Sequence, residues 1–139
     1  MDALILMGRI MFGALFVASA AGHLTQTSDM AAYAEMKGVP APRAMVLISG
    51  LVLLLGGVMV VAGLWADLGA LLLLGFLLPT AVVMHAPWRV TDDAERQAEQ
   101  TQFMKNLALA GAALALFAFF AGTDVGLTVT DPLFSGLFD

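Results

Sequence analysis

The sequence predicts an all-α integral membrane protein: a four-transmembrane-helix bundle with a short interfacial helix in its first loop. Two observations lead there. Hydrophobic residues make up 60% of the 139 residues and charged ones 12%, against about 25% charged in ordinary soluble domains. Four apolar runs, 4–24, 44–64, 68–84 and 103–121, match the roughly 20 residues that a helix needs to cross a bilayer core. No stretch between or after them is long enough for a second globular unit, so one transmembrane domain is expected over 1–139, with a tail 122–139. The net charge of −5 argues against nucleic acid as a partner. The absence of cysteine excludes disulfides, thiol redox chemistry and thiolate metal sites.

The first run contains Ala18-Ser19-Ala20, which fits a small-x-small cleavage rule. No Lys or Arg precedes the run, however, so it is read as a retained spanning helix rather than a signal peptide. The first loop is polar enough to lie at the membrane surface. Ser28 is placed to cap a short helix over 29–37, with Met30, Tyr33, Ala34 and Lys37 at helical spacing. Gly38 suits a left-handed stop and Pro40 prevents continuation. Spans two and three are joined by Trp65-Ala66-Asp67 alone, which forces an antiparallel hairpin. Pro79 lacks a backbone donor in the middle of span three. Asp92 with Glu95 resembles a capping box, so a polar helix is expected to run directly into span four.

Lys37, Arg43, Arg89, Arg96 and Lys105 all belong to the first and third loops or their edges. The positive-inside rule therefore puts both loops in the cytoplasm and both termini outside. Helices in lipid associate by close packing of small residues. Gly50 with Gly57, Gly56 with Gly63, Ala108 with Ala112, Gly111 with Ala115 and Ala118 with Gly122 have suitable spacing. Packing within the bundle is the first expectation for these faces, and a homodimer contact the second.

The polar residues inside or beside the spans are the candidates for function. Arg9 lies within span one, where an ionisable side chain needs a partner or a route to the interface. Two roles are open for it: a structural ion pair with Asp67 or Asp124, or binding of an anionic or quinone-like ligand. His23 shares a helix face with Arg9, Gly13, Phe16 and Ala20. His23 and His85 both reach the loop-side membrane boundary, where Trp88, Lys105 and Asn106 also belong and Tyr33 of the surface helix is placed to cover them. These residues suit an amphipathic pocket for a quinone head group, a lipid or a small acid. They equally suit interfacial anchors and helix-end hydrogen bonders. Haem is disfavoured because the histidines sit at helix ends, and two histidines without spaced carboxylates do not make a metal site. The nine methionines read as core filler.

Taken together, these residues resemble the DoxX family of small bacterial four-helix membrane proteins. The resemblance runs from about Met7 to Asp131 and rests on Gly8-Arg9, Phe16 and Gly22-His23-Leu24 in span one. It continues through Tyr33 and Gly38-Val39-Pro40-Ala41-Pro42, and through 56–64 in span two. Its most specific part is Met84-His85-Ala86-Pro87-Trp88 with 102–108 and Gly111. His23 stands where the family often has lysine, and Leu53 where a glutamate is common. The resemblance implies an inner-membrane bundle. It also implies a link to thiosulfate:quinone oxidoreduction, to oxidative-stress membrane complexes or to the support of partner proteins. The expectation is an accessory or anchor subunit, not catalytic by itself, in a larger redox complex or a homo-oligomer. The alternative is a quinone- or lipid-binding subunit of an oxidoreductase.

Overall fold

The structure, a computed structural model, describes residues 1–137. It contains five α-helices: α1 (Asp2–Thr25), α2 (Thr27–Met36), α3 (Pro42–Ala62), α4 (Ala66–Met84) and α5 (Asp93–Gly122). A single 3₁₀ turn at Pro87–Arg89 lies between the last two. The helices α1, α3, α4 and α5 are long and apolar enough to cross a membrane. They alternate in direction and pack in the order α1 on α3, α3 on α4 and α4 on α5. One end of the bundle therefore carries the N-terminus, the 63–65 link and the tail. The other carries α2 and the 85–92 connection, and is called the loop end below.

Heptad-like stripes decide which face of each helix turns inward. On α1 the buried stripe is Arg9, Gly13, Phe16 and Ala20, and on α3 it is Val46, Gly50, Leu53, Gly57 and Val60. Phe16, Leu53, Leu73, Leu77, Ala110 and Ala113 join these into one core. Leu4, Met11, Ile48, Leu51 and Leu55 point outward, the arrangement expected of a lipid-facing surface.

Adjacent glycines let α3 approach two helices at once. A methyl group at Gly13 would sit 2.8 Å from the Gly57 carbonyl oxygen, and one at Gly56 would sit 3.0 Å from that of Gly69. Backbone thus meets backbone on both sides of α3, which is how helices associate without a hydrophobic driving force. The small residues of α5 behave differently from expectation. Ala108, Gly111, Ala115, Ala118 and Gly122 are exposed, because the inward stripe of α5 is Phe103, Asn106, Ala110, Ala113, Phe117 and Phe120.

Two local expectations need correction. Helix α2 begins at Thr27, not after a Ser28 cap. The Thr27 hydroxyl donates to the His23 carbonyl at 2.8 Å, so α1 and α2 are tied by a side chain at the junction itself. Ala66 and Asp67 belong to the first turn of α4, and the link is shortened to 63–65. So tight a link needs left-handed backbone, found at Gly63 (φ 70°) and Trp65 (φ 41°). The Trp65 amide is held by the Thr130 hydroxyl at 2.7 Å, which stabilises a conformation that a non-glycine residue seldom adopts. The stop at Gly38 (φ 82°) and the Asp92 cap, whose carboxylate accepts from the Glu95 amide at 2.9 Å, are as the sequence indicates. Helix α4 continues past Pro79 to Met84.

Gly13 and Gly111 provide a paired test of this packing. Gly13→Ala is expected to destabilise the bundle by about 1–3 kcal/mol through overpacking. Gly111→Ala, where a methyl group meets nothing within 4 Å, is expected to be neutral or to stabilise by about 0.5–1 kcal/mol through reduced chain entropy. Unfolding in mixed detergent micelles reads both. Equal effects at the two positions would remove the case for glycine-mediated approach.

Candidate functional site

At the tail end, Arg9 is 1% exposed although it lies in the apolar run of α1. Its partners are three carbonyl oxygens: Nε donates to Val60 at 2.9 Å, Nη2 to Val61 at 2.8 Å and Nη1 to Leu127 at 2.9 Å. Val60 and Val61 belong to the last turn of α3, where carbonyls lack intrahelical donors and carry the negative end of the helix dipole. The guanidinium therefore serves as a side-chain cap for α3. The expected ion pair with Asp67 or Asp124 is absent among the described residues. Asp67 is fully buried, and its Oδ2 accepts from the Phe134 amide at 2.7 Å while its Oδ1 has no partner. Asp124 is exposed beside a cleft of about 10 Å³, lined in part by Thr128, Thr130 and Asp131. That is room for about one water. Arg9 found closer acceptors in the end of α3 than any carboxylate could offer.

At the loop end, the structure gathers three ionisable groups from three segments. Glu99 is 8% exposed. Its Oε1 accepts from Lys37 Nζ at 2.7 Å, and its Oε2 lies 2.9 Å from His85 Nδ1. Lys37 follows α2, His85 follows α4, and Glu99 sits one turn before the apolar run of α5. Burial on its own would raise the Glu99 carboxyl, but the hydrogen bonds and charges of Lys37 and His85 outweigh it and hold the group below its ordinary value. The bond to Glu99 pushes Lys37 above its ordinary value, against a smaller opposing effect of burial. Lys37 Nζ also lies 5.3 Å from the centre of the Tyr33 ring. A carboxylate with both oxygens occupied by donors is an acceptor only, so the His85 proton sits on Nδ1.

The remaining candidates are distributed around this triad rather than gathered into one pocket. Trp88 is exposed and stands edge-on to Phe103, with ring centroids 5.5 Å apart. Phe103 is one turn from Glu99 on the same stripe of α5. His23 Nδ1 lies 2.9 Å from the Ser19 carbonyl of its own helix, and its ring stands edge-on to Phe76 of α4. Asn106 donates to the Gln102 carbonyl at 3.0 Å, and Lys105 faces outward among Gln100, Thr101 and Met104. No group of three or more His, Asp or Glu placed to hold a metal occurs among the described residues. Glu99 is the functional candidate that the sequence reading passed over. Extending the inward stripe of α5 back from Phe120 through Ala113, Ala110, Asn106 and Phe103 lands on it.

Two expectations follow from this geometry. Arg9→Met leaves three carbonyls without a donor, and each buried orphan costs about 1–3 kcal/mol. Hydrogen exchange at the Val129 and Thr130 amides, which both bond to the Gly63 carbonyl, is expected to accelerate. Unchanged protection would show that the tail is held without Arg9. For the triad, the lowered Glu99 carboxyl stabilises the fold above its ordinary value of 4.5, and this contribution is lost as pH falls through the folded value below it. The raised Lys37 stabilises below 10.5, and its contribution is lost as pH rises through the folded value above it. Thermal stability in detergent is thus expected to be level between these limits and to fall outside them. Glu99→Gln is expected to lower the level region and soften both edges, and an unaltered profile would show the triad to be without effect on stability.

The architecture and the span-one and span-two features agree with comparison to known proteins. The DoxX family model matches residues 4–86, more than half of the chain. No significant match occurs among curated proteins or among solved structures. The matched region and the four apolar spans together lead to one conclusion: the chain belongs to the DoxX family and is a multi-pass membrane protein.

Proposed function

We propose that the chain is a non-catalytic accessory subunit of a larger bacterial inner-membrane complex, with the loop end in the cytoplasm and the termini outside. The orientation rests on Lys37, Arg43, Arg89, Arg96 and Lys105, which all belong to the loop end. The observation that carries the accessory role is the start of α5. Residues 93–102 precede the apolar run as helix, and every one except Glu99 is exposed. Ten residues of helix extend about 15 Å. Glu99 fixes this extension to α4 and to the segment after α2, so it is a rigid polar surface rather than a loose loop. Below it, the outward small residues Ala108, Gly111, Ala115 and Ala118 allow a neighbouring helix to come close in lipid. The polar groups inside the bundle support the same reading. Arg9 and Glu99 are each bonded to other segments of the chain, in a way that holds helices together, and His23 is bonded within its own helix.

A second reading is a quinone- or lipid-binding subunit of an oxidoreductase. It is favoured by the Trp88–Phe103 ring pair beside His85 at the membrane boundary.

Purification from native membranes in mild detergent separates the two. The accessory role predicts an assembly of fixed composition and mass, converted to the isolated chain by introducing positive charge on the extension (Gln97→Lys with Gln100→Lys) or by Gly111→Ile. An isolated chain in the wild type, carrying extractable quinone that His85→Ala removes, would overturn the accessory role in favour of the second reading.

A further inference from the structure

We propose that His85 Nε2 is a ligand-facing hydrogen-bond acceptor, built to receive a phenol-type hydroxyl at the head of an apolar amphiphile. This deepens the second reading above and rests on it. The starting point is which nitrogen is free. Glu99 is nearly buried, and its two oxygens are taken by Lys37 Nζ and by His85 Nδ1. No described residue pairs with His85 Nε2. With the proton fixed on Nδ1, neutral imidazole presents its lone pair at Nε2. The carboxylate behind the imidazole also fixes the orientation of the ring.

His85 has a side chain 20% exposed, while the carboxylate behind it is 11% exposed. The charged groups around it are Glu99 on α5 and Lys37 after α2, with the Tyr33 ring against Lys37. Its position at the end of α4 puts the open nitrogen where a spanning helix meets the boundary. Trp88, three residues on, stands edge-on to Phe103. A ligand arriving there from the bilayer needs an apolar body and a donor at one end. A phenolic hydroxyl supplies such a donor, which the lone pair of a neutral imidazole accepts. An aromatic body also matches the ring pair.

The test uses the full chain in lipid nanodiscs with ¹⁵N-labelled histidine. The two histidines are distinguished by His23→Gln. At neutral pH the His85 signals are expected to be pyrrole-like at Nδ1 and pyridine-like at Nε2. Titration with 4-hexylphenol is expected to shift Nε2 in a saturable way, and 4-hexylanisole, which lacks the donor, is expected to leave it unmoved. Glu99→Gln is expected to lose the tautomer preference and most of the phenol shift. Lys37→Met, which leaves the His85–Glu99 bond in place, is expected to keep both. A proton found on Nε2 in the wild type overturns the proposal, as does an equal response to phenol and anisole. These two measurements need no variant at His85 or Glu99, so a folding defect there leaves the outcome decisive.

Discussion

The guanidinium of Arg9 is the interaction on which the tail end of the molecule depends. A cation inside an apolar helix is unfavourable unless its donors are met, and here they are met without a carboxylate. The end of α3 supplies what is needed. Its last carbonyls are unpaired by the nature of a helix terminus, and they point along the negative end of the dipole. Arg9 takes two of these and adds the carbonyl of Leu127 from the tail. Three segments far apart in sequence are thereby joined at one planar group. The consequences spread outward. Gly63 must lack a side chain, because a Cβ there would lie 2.5 Å from Arg9 Nη2 and 2.8 Å from the backbone of Thr128. Its carbonyl then accepts from Val129 and Thr130, and Thr130 in turn holds Trp65 in its left-handed turn.

Glu99 plays the opposite part at the loop end. It is a buried anion joining α5 to α4 and to the segment after α2, as Arg9 is a buried cation joining α1 to α3 and the tail. The two ions act at opposite ends of the bundle. Arg9 fastens α1 and α3, and Glu99 fastens α4 and α5. Between the two ends α3 and α4 meet sterically, through the Gly56–Gly69 approach and the core of Leu53, Leu73 and Leu77. Breaking a buried charged contact leaves an uncompensated ion, a larger penalty than the gain from forming it. Such contacts are therefore better at fixing register than at raising stability. That is the role both perform at the two ends of helices that lipid itself does little to align.

The spans, the hairpin between α3 and α4, the Asp92 cap and the Gly38 stop were legible because each depends on residues close in sequence. The partner of Arg9 was not. Matching charge with charge selects Asp67 and Asp124, but the competing acceptors are backbone carbonyls, which every residue carries and no residue name advertises. They become special only once α3 ends at Gly63 beside Arg9. Glu99 was hidden differently. It stands in a run of polar side chains, so composition reads it as solvated surface, although its register with Phe103, Asn106 and Ala110 already turned it inward. The gathering of His23 with His85 failed for a local reason. The Ser19 carbonyl one turn back on its own helix satisfies the His23 ring before any other helix is needed.

The chemical difference between the two ends bears on where this protein can act. Arg9 is enclosed, and its bonds are the fastening of the fold, so occupying it with a ligand would require opening the joint between α1, α3 and the tail. His85 is held from behind by Glu99, yet keeps one nitrogen open at the membrane boundary. A ligand can engage that nitrogen without breaking any described bond. Strong internal pairing thus encloses Arg9, and at the loop end the same kind of pairing orients an open group. Intramembrane charge alone would have pointed first to Arg9. Counting which hydrogen-bonding positions are already filled points to His85 instead.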